Sequence, residues 1–138
     1  REIVMTQKKV LIVDDSKLMR IIIKKILSND DLFVVTGEAG NGIEALAEIE
    51  KDVPDIIFLD IEMPEMDGVE ALKEIRAKYS TKVVVVSSVA QMGSSRAAEV
   101  NQLGADAIIE KPGGAVDPTL ATQKGEEFIE IARKVLGV

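Results

Sequence analysis

The chain contains no histidine and no cysteine, and each absence closes a class of chemistry. Without cysteine there is no disulfide, no thiol nucleophile and no thiolate-bound zinc. Without histidine, the Ser-His-Asp and Cys-His hydrolase arrangements and imidazole metal ligation are closed too. Aromatic residues make up only 3% of the chain, and a formal net charge of −7 argues against the basic face that nucleic-acid binding needs. No apolar run approaches the roughly 18 residues of a membrane span, and no secretory signal is visible. The expectation is a cytoplasmic protein that binds neither nucleic acid nor membrane.

What is present reads as one globular domain over residues 1–138, with 46% apolar and 30% charged residues. Arg1–Val4 precede Met5 and read as a vector remnant or a disordered tail. Short apolar runs at Val10–Val13, Leu32–Val35, Ile56–Leu59, Val83–Val86 and Ala105–Ile109 suit strands buried on both faces of a parallel sheet. Helical patterns alternate with them. Ser16 can cap a helix with Leu18, Met19, Ile22, Ile26 and Leu27 inward and Lys17, Arg20, Lys24 and Lys25 outward. Asn41 precedes Ile43, Leu46, Ala47 and Ile49, and Asp67-Gly68 leads into Val69, Leu72 and Ile75. Ser94 or Ser95 opens Ala97, Ala98, Val100 and Leu103, with Gly104 as a C-terminal stop. Residues 112–121 are expected to loop, because Pro112-Gly113-Gly114 is too rich in breakers for regular structure. Phe128, Ile131, Ala132, Val135 and Leu136 mark the last helix. Strand–helix alternation throughout implies an α/β fold, a doubly wound parallel sheet with five helices on its two faces.

Three acids stand at the ends of these apolar runs: Asp14, Asp15 and Asp60. A parallel sheet delivers strand ends to one edge, where open α/β sheets bind ligands. Crowded carboxylates repel, and their hard oxygens suit Mg²⁺, with Asp15 and Asp60 as direct ligands and Asp14 acting through water. The carbonyl of Glu62 is a further candidate ligand. Lys111 adds an ammonium after the fifth run and Ser87 a hydroxyl after the fourth. This inventory suits phosphoryl transfer, with Asp60 as carboxylate nucleophile and Ser87 and Lys111 sharing the phosphoryl charge. Taken singly the signals are weak: an acidic pair before a helix can simply complement its dipole, and a serine at a strand end is often only a cap. The ensemble carries the argument.

Lys9-Val10-Leu11-Ile12-Val13-Asp14-Asp15-Ser16, then Asp60-Ile61-Glu62-Met63-Pro64-Glu65-Met66-Asp67-Gly68, then Ser87 and Lys111-Pro112, resemble the receiver domains of two-component response regulators. The resemblance implies a flavodoxin-like sheet of order 2-1-3-4-5, an order that spacing alone leaves open. It implies that Asp60 accepts phosphate from a sensor histidine kinase and that Asp14 and Asp15 hold Mg²⁺. Ser87 and Lys111 would read the phosphoryl group, and the helix 4–strand 5–helix 5 face would meet an effector domain or a chemotaxis protein. Such a module is no enzyme beyond its own phosphorylation and dephosphorylation.

Asp15-Ser16-Lys17-Leu18-Met19-Arg20, Ser87-Ser88 and the segment Val89–Ser94 are more narrowly similar to the receiver half of chemotaxis methylesterases. The methylesterase triad itself needs a histidine, which this chain lacks. One position departs from the receiver pattern: Ile108 stands where many receivers carry a switching aromatic. The alternatives are a stand-alone receiver of another two-component pathway and a Mg²⁺-dependent phosphatase with an aspartyl nucleophile. The latter commonly needs Asp-x-Asp, whereas Asp60-Ile61-Glu62 ends in Glu.

Overall fold

The computed structural model describes residues 6–88, 95–111 and 118–138, with the backbone alone for 118–123. In chain order the elements are β1 (Lys8–Val13), α1 (Lys17–Leu27), β2 (Phe33–Ala39), α2 (Gly42–Lys51), β3 (Ile56–Asp60), α3 (Gly68–Lys78), β4 (Lys82–Ser87), α4 (Ser95–Gln102), β5 (Ala107–Glu110) and α5 (Pro118–Leu136). The sheet is parallel with order β2-β1-β3-β4-β5, the flavodoxin-like arrangement. No helix among the described residues is long and apolar enough to cross a membrane.

Period-two alternation splits each central strand between two cores. Val10, Ile12, Ile56, Phe58, Val84 and Val86 pack with Ile23 and Leu27 of α1 and Phe128 and Ala132 of α5. Leu11, Val13, Ile57, Leu59, Val83 and Val85 face the other way, onto α2, α3 and α4. Burial on both faces explains why these strands read as unbroken apolar runs. The Phe58 and Phe128 rings stack with centroids 4.7 Å apart, tying β3 to α5.

Helix starts follow the capping residues. Ser16 Oγ accepts from the Met19 N–H, Asn41 Oδ1 from Glu44 and Asp67 Oδ1 from Glu70. Gly104, with φ +98°, turns the chain after α4 in the left-handed region that favours glycine.

Several expectations need correction. Leu18 is 66% exposed, and the buried residues of α1 are Ile23 and Leu27. Ile43 and Ala47 on α2 and Ala98 on α4 also face solvent. Each helix carries two overlapping apolar stripes, and where it docks on the sheet decides which one is covered. β2 continues to Ala39, past the run ending at Val35, with a register shift opposite Val10/Leu11. As an edge strand it is only half buried, so its second half has no apolar signature. β5 begins at Ala107, because the Ala105 N–H turns back to Val100 O. The loop expected through residue 121 is shorter, since α5 starts at Pro118. Proline's fixed φ and missing N–H suit a first helical turn. Residues 1–5, the segment Val89–Ser94 and residues 112–117 lie outside the described residues.

Candidate functional site

Three strand ends meet at the C-terminal edge of the sheet. β1 runs out into Asp14 and Asp15, β3 ends on Asp60 and β4 ends on Ser87. The parallel register sets Val13 beside Leu59 and Asp60 beside Val86, so the acids leave neighbouring strands at one level. Carboxylate oxygens of Asp14, Asp15 and Asp60 lie within 4.8 Å of one another. Asp14 and Asp60 are buried, with 1% and 4% of their surface exposed, while Asp15 is open to solvent.

Lys111 reaches the same place because β5 pairs with β4: its N–H donates to Ser87 O at 2.8 Å. Its ammonium nitrogen stands 3.2 Å from Asp14 Oδ2 and 3.3 Å from Asp60 Oδ1. Burial and the neighbouring Asp14 push the Asp60 carboxyl up to about 7, and Lys111 offsets this only in part. Burial works against the Lys111 ammonium, yet Asp60 and Asp14 together outweigh it and hold its pKa above the ordinary value.

One ammonium does not balance three carboxylates. Asp60 Oδ2 is buried without a hydrogen-bond partner among the described residues. An unsatisfied carboxylate oxygen beside two further acids is a donor set that fits a hard divalent cation. Asp15, Asp60, Glu62, Ser88 and Lys111 are among the residues lining an open cleft of about 600 Å³ over this edge. Ser87 is buried, and its hydroxyl donates to Ser88 O at 3.3 Å, so it is Ser88 that borders the cleft.

The loop after Asp60 is held at both ends. The Gly68 N–H donates to Ile61 O at 2.7 Å, and Arg96 of α4 pairs with Asp67, the N-cap of α3. On the other side of the site, Arg20 is not simply solvated as its place among Lys17, Lys24 and Lys25 implied. Its Nη1 donates to Asp14 O at 2.6 Å. No spacing rule signals a side chain that bends back to the turn before its own helix.

The family model of the response regulator receiver domain matches residues 10–123. The chain belongs to this family. Among its relatives, the protein-glutamate methylesterase/protein-glutamine glutaminase 1 of Syntrophomonas wolfei is 40% identical over 126 residues, covering 91% of this chain and 36% of the relative. The corresponding protein of Bacillus licheniformis is 46% identical over 108 residues, covering 78% of this chain and 30% of that one. The response regulator domain of Thermotoga maritima CheB superposes with a TM-score of 0.83 at 38% identity, covering 96% of this chain and 98% of that domain. A chain from the complex of the P1 domain of CheA3 with CheY6 from R. sphaeroides gives 0.80 at 37% identity, covering 96% of this chain and 99% of that one. This receiver spans about a third of the length of the methylesterases it matches. What it shares with them is their receiver part, which agrees with the narrower resemblance in the sequence.

Proposed function

We propose that this receiver domain accepts a phosphoryl group from the phosphohistidine of a sensor kinase onto Asp60, in a Mg²⁺-dependent step that controls an effector in chemotaxis. The observation that carries this reading is the convergence of buried Asp60 with two further carboxylates and one ammonium at a sheet edge.

A carboxylate oxygen of Asp60 attacks phosphorus, the phosphorus–nitrogen bond of the donor breaks, and an acyl phosphate forms. Lys111, held between Asp14 and Asp60, is placed to meet the incoming equatorial oxygens as a compact cation. Asp14, Asp15, Asp60 and the Glu62 carbonyl would hold Mg²⁺, which when bound there offsets the charge on the phosphoryl oxygens. Ser87 sits one residue past Val86, the register partner of Asp60, and turning its hydroxyl from Ser88 O would bring it to the phosphoryl group. Leu18 and Ile21, exposed on the helix that follows Asp15 in the chain, offer an apolar docking surface for the phosphodonor.

The output surface in this reading is α4–β5–α5. Ile108, Phe128 and Ile131 border a cleft of about 200 Å³ on that face, which leaves Ile108 room to repack without being aromatic. The shared receiver part makes a methylesterase domain the favoured effector. A cytoplasmic location goes with a phosphodonor of this kind.

Acetyl phosphate with Mg²⁺ tests the reading. The wild type gains one phosphoryl group by intact-mass measurement, Asp60→Asn gains none, and chelation abolishes the gain. Equal labelling of Asp60→Asn would refute Asp60 as the acceptor. Sustained turnover of phosphomonoesters would point to the aspartyl phosphatase instead.

A further inference from the structure

The turn between β1 and α1 carries Asp14 and Asp15, and three hydrogen bonds hold it. The Asp14 N–H donates to Ala39 O at 3.0 Å, and the Ser16 N–H donates to Asp14 Oδ1 at 2.9 Å. The third bond comes from a side chain, Arg20 Nη1 to the Asp14 carbonyl oxygen at 2.6 Å. That carbonyl belongs to the planar peptide joining Asp14 to Asp15, so its direction governs where the Asp15 side chain leaves the turn.

Arg20 is itself held from the far side. Its Nε donates to Glu38 Oε1 on β2 at 3.2 Å, and Lys24 pairs with the other Glu38 oxygen. Lys24 and Arg20 together outweigh the effect of burial and keep the Glu38 carboxyl below its ordinary range, so the anchor stays charged. The Arg20 side chain is only 19% exposed. Asp15, by contrast, is exposed and makes no hydrogen bond or ion pair of its own among the described residues. Its position rests on the backbone that Arg20 grips.

We infer that Arg20 is a positioning residue for the acidic edge, fixing the Asp14–Asp15 peptide so that Asp15 stands with Asp14 and Asp60 to bind a divalent cation. This rests on reading that edge as the Mg²⁺ site. Charge and geometry predict opposite signs here. A guanidinium near three carboxylates opposes a dication electrostatically, so its removal by charge alone tightens Mg²⁺ binding. Removal of an anchor that orients a ligand weakens binding, by about tenfold for groups in this supporting role.

The experiment is calorimetric titration of the whole chain with MgCl₂, for wild type, Arg20→Ala and Arg20→Lys, with thermal unfolding of each recorded alongside. Arg20→Ala is expected to weaken Mg²⁺ binding about tenfold while still unfolding cooperatively. Arg20→Lys weakens it too, though less, because a single ammonium cannot span Glu38 and the Asp14 carbonyl as the guanidinium fork does. Acetyl phosphate labelling of Arg20→Ala recovers as Mg²⁺ is raised, which locates the defect in the metal site and not in Asp60. Mg²⁺ binding by Arg20→Ala as tight as wild type, or tighter, overturns the inference. Should Arg20→Ala fail to fold, Arg20→Lys decides: it keeps the charge, so unchanged affinity overturns the inference and weakened affinity supports it. Absence of Mg²⁺ binding by the wild type would overturn the reading of the edge itself.

Discussion

Gly68 stands directly behind Asp60: a Cβ built on Gly68 would lie 2.1 Å from the Asp60 carbonyl oxygen and 2.8 Å from Ile61 Cα. Both neighbours are backbone, so neither can swing aside as a side chain would. On helix propensity alone, Gly68→Ala would stabilise α3 by up to about 1 kcal/mol. The clash reverses that sign. Gly68→Ala is expected to destabilise the domain by about 1–3 kcal/mol in urea titration. It should also slow acetyl phosphate labelling by at least about tenfold, since small displacements at a reacting centre are costly. A variant as stable and as readily labelled as wild type would show that the α3 start can move away from β3.

The Asp60 carboxyl links stability to pH. Its pKa is about 7 in the folded protein against an ordinary 3.8, so between those values the folded state binds the extra proton. Stability contributed by this group is therefore lost as pH rises from about 4 to about 7. Without divalent cations, Asp60→Asn should be more stable than wild type by about 2 kcal/mol at pH 8. This is less than the ~4 kcal/mol that the whole displacement represents, because Lys111 loses a partner. At pH 4 the advantage should vanish. Urea unfolding at both pH values checks this, and no advantage at pH 8 would contradict the burial of an ionised Asp60.

In the proposed phosphotransfer the same carboxyl sets a pH profile, because only its ionised form is a nucleophile. At low Mg²⁺ the labelling rate should rise with pH through about 7. At saturating Mg²⁺ the midpoint should move to lower pH, since a nearby dication favours the carboxylate. Initial rates with acetyl phosphate across pH at two Mg²⁺ concentrations measure this directly. A midpoint independent of Mg²⁺ would separate the metal from Asp60.

Away from the site, Arg133 of α5 forks onto Asp30, with Nε–Oδ2 at 2.7 Å and Nη2–Oδ1 at 2.9 Å. Arg133 outweighs burial and holds the Asp30 carboxyl below its ordinary range. This pair therefore contributes stability above the unfolded value of 3.8 and loses it as pH falls through the lowered folded value. Arg133→Ala is expected to lower stability modestly at pH 7, because the pair is bidentate but partly exposed. The gap to wild type should close in strong acid. A gap that persisted there would mean that lost packing of the arginine stem, and not the ion pair, is responsible.

The strands β1, β3 and β4 and the acids at their ends were legible in the sequence. A strand buried on both faces must be a continuous apolar run, and a polar residue ending it must emerge at the sheet edge. Asp14, Asp15 and Asp60 could thus be assigned to one edge, and the order that makes their strands neighbours came with the resemblance. Ser16, Asn41 and Asp67 were readable as helix starts because capping is a local contact within one turn. The half-buried edge strand β2 was readable only as far as Val35, because a strand with a wet face lacks the apolar run.

Tertiary structure decided what depends on how a helix is rotated and seated. Whether α1 buries Leu18 or Ile23 is a matter of which stripe meets the sheet, and periodicity admits both. The turning of Arg20 back to the Asp14 carbonyl goes with Glu38 on the neighbouring strand β2, and the approach of Gly68 to Asp60 with the way the chain folds back from β3 into α3. In both contacts the partner is backbone, where residue type carries no signal. Residue type at the strand ends thus named the groups of the acidic edge, whereas packing sets which of them are buried, which are gripped, and how strongly Asp60 holds its proton.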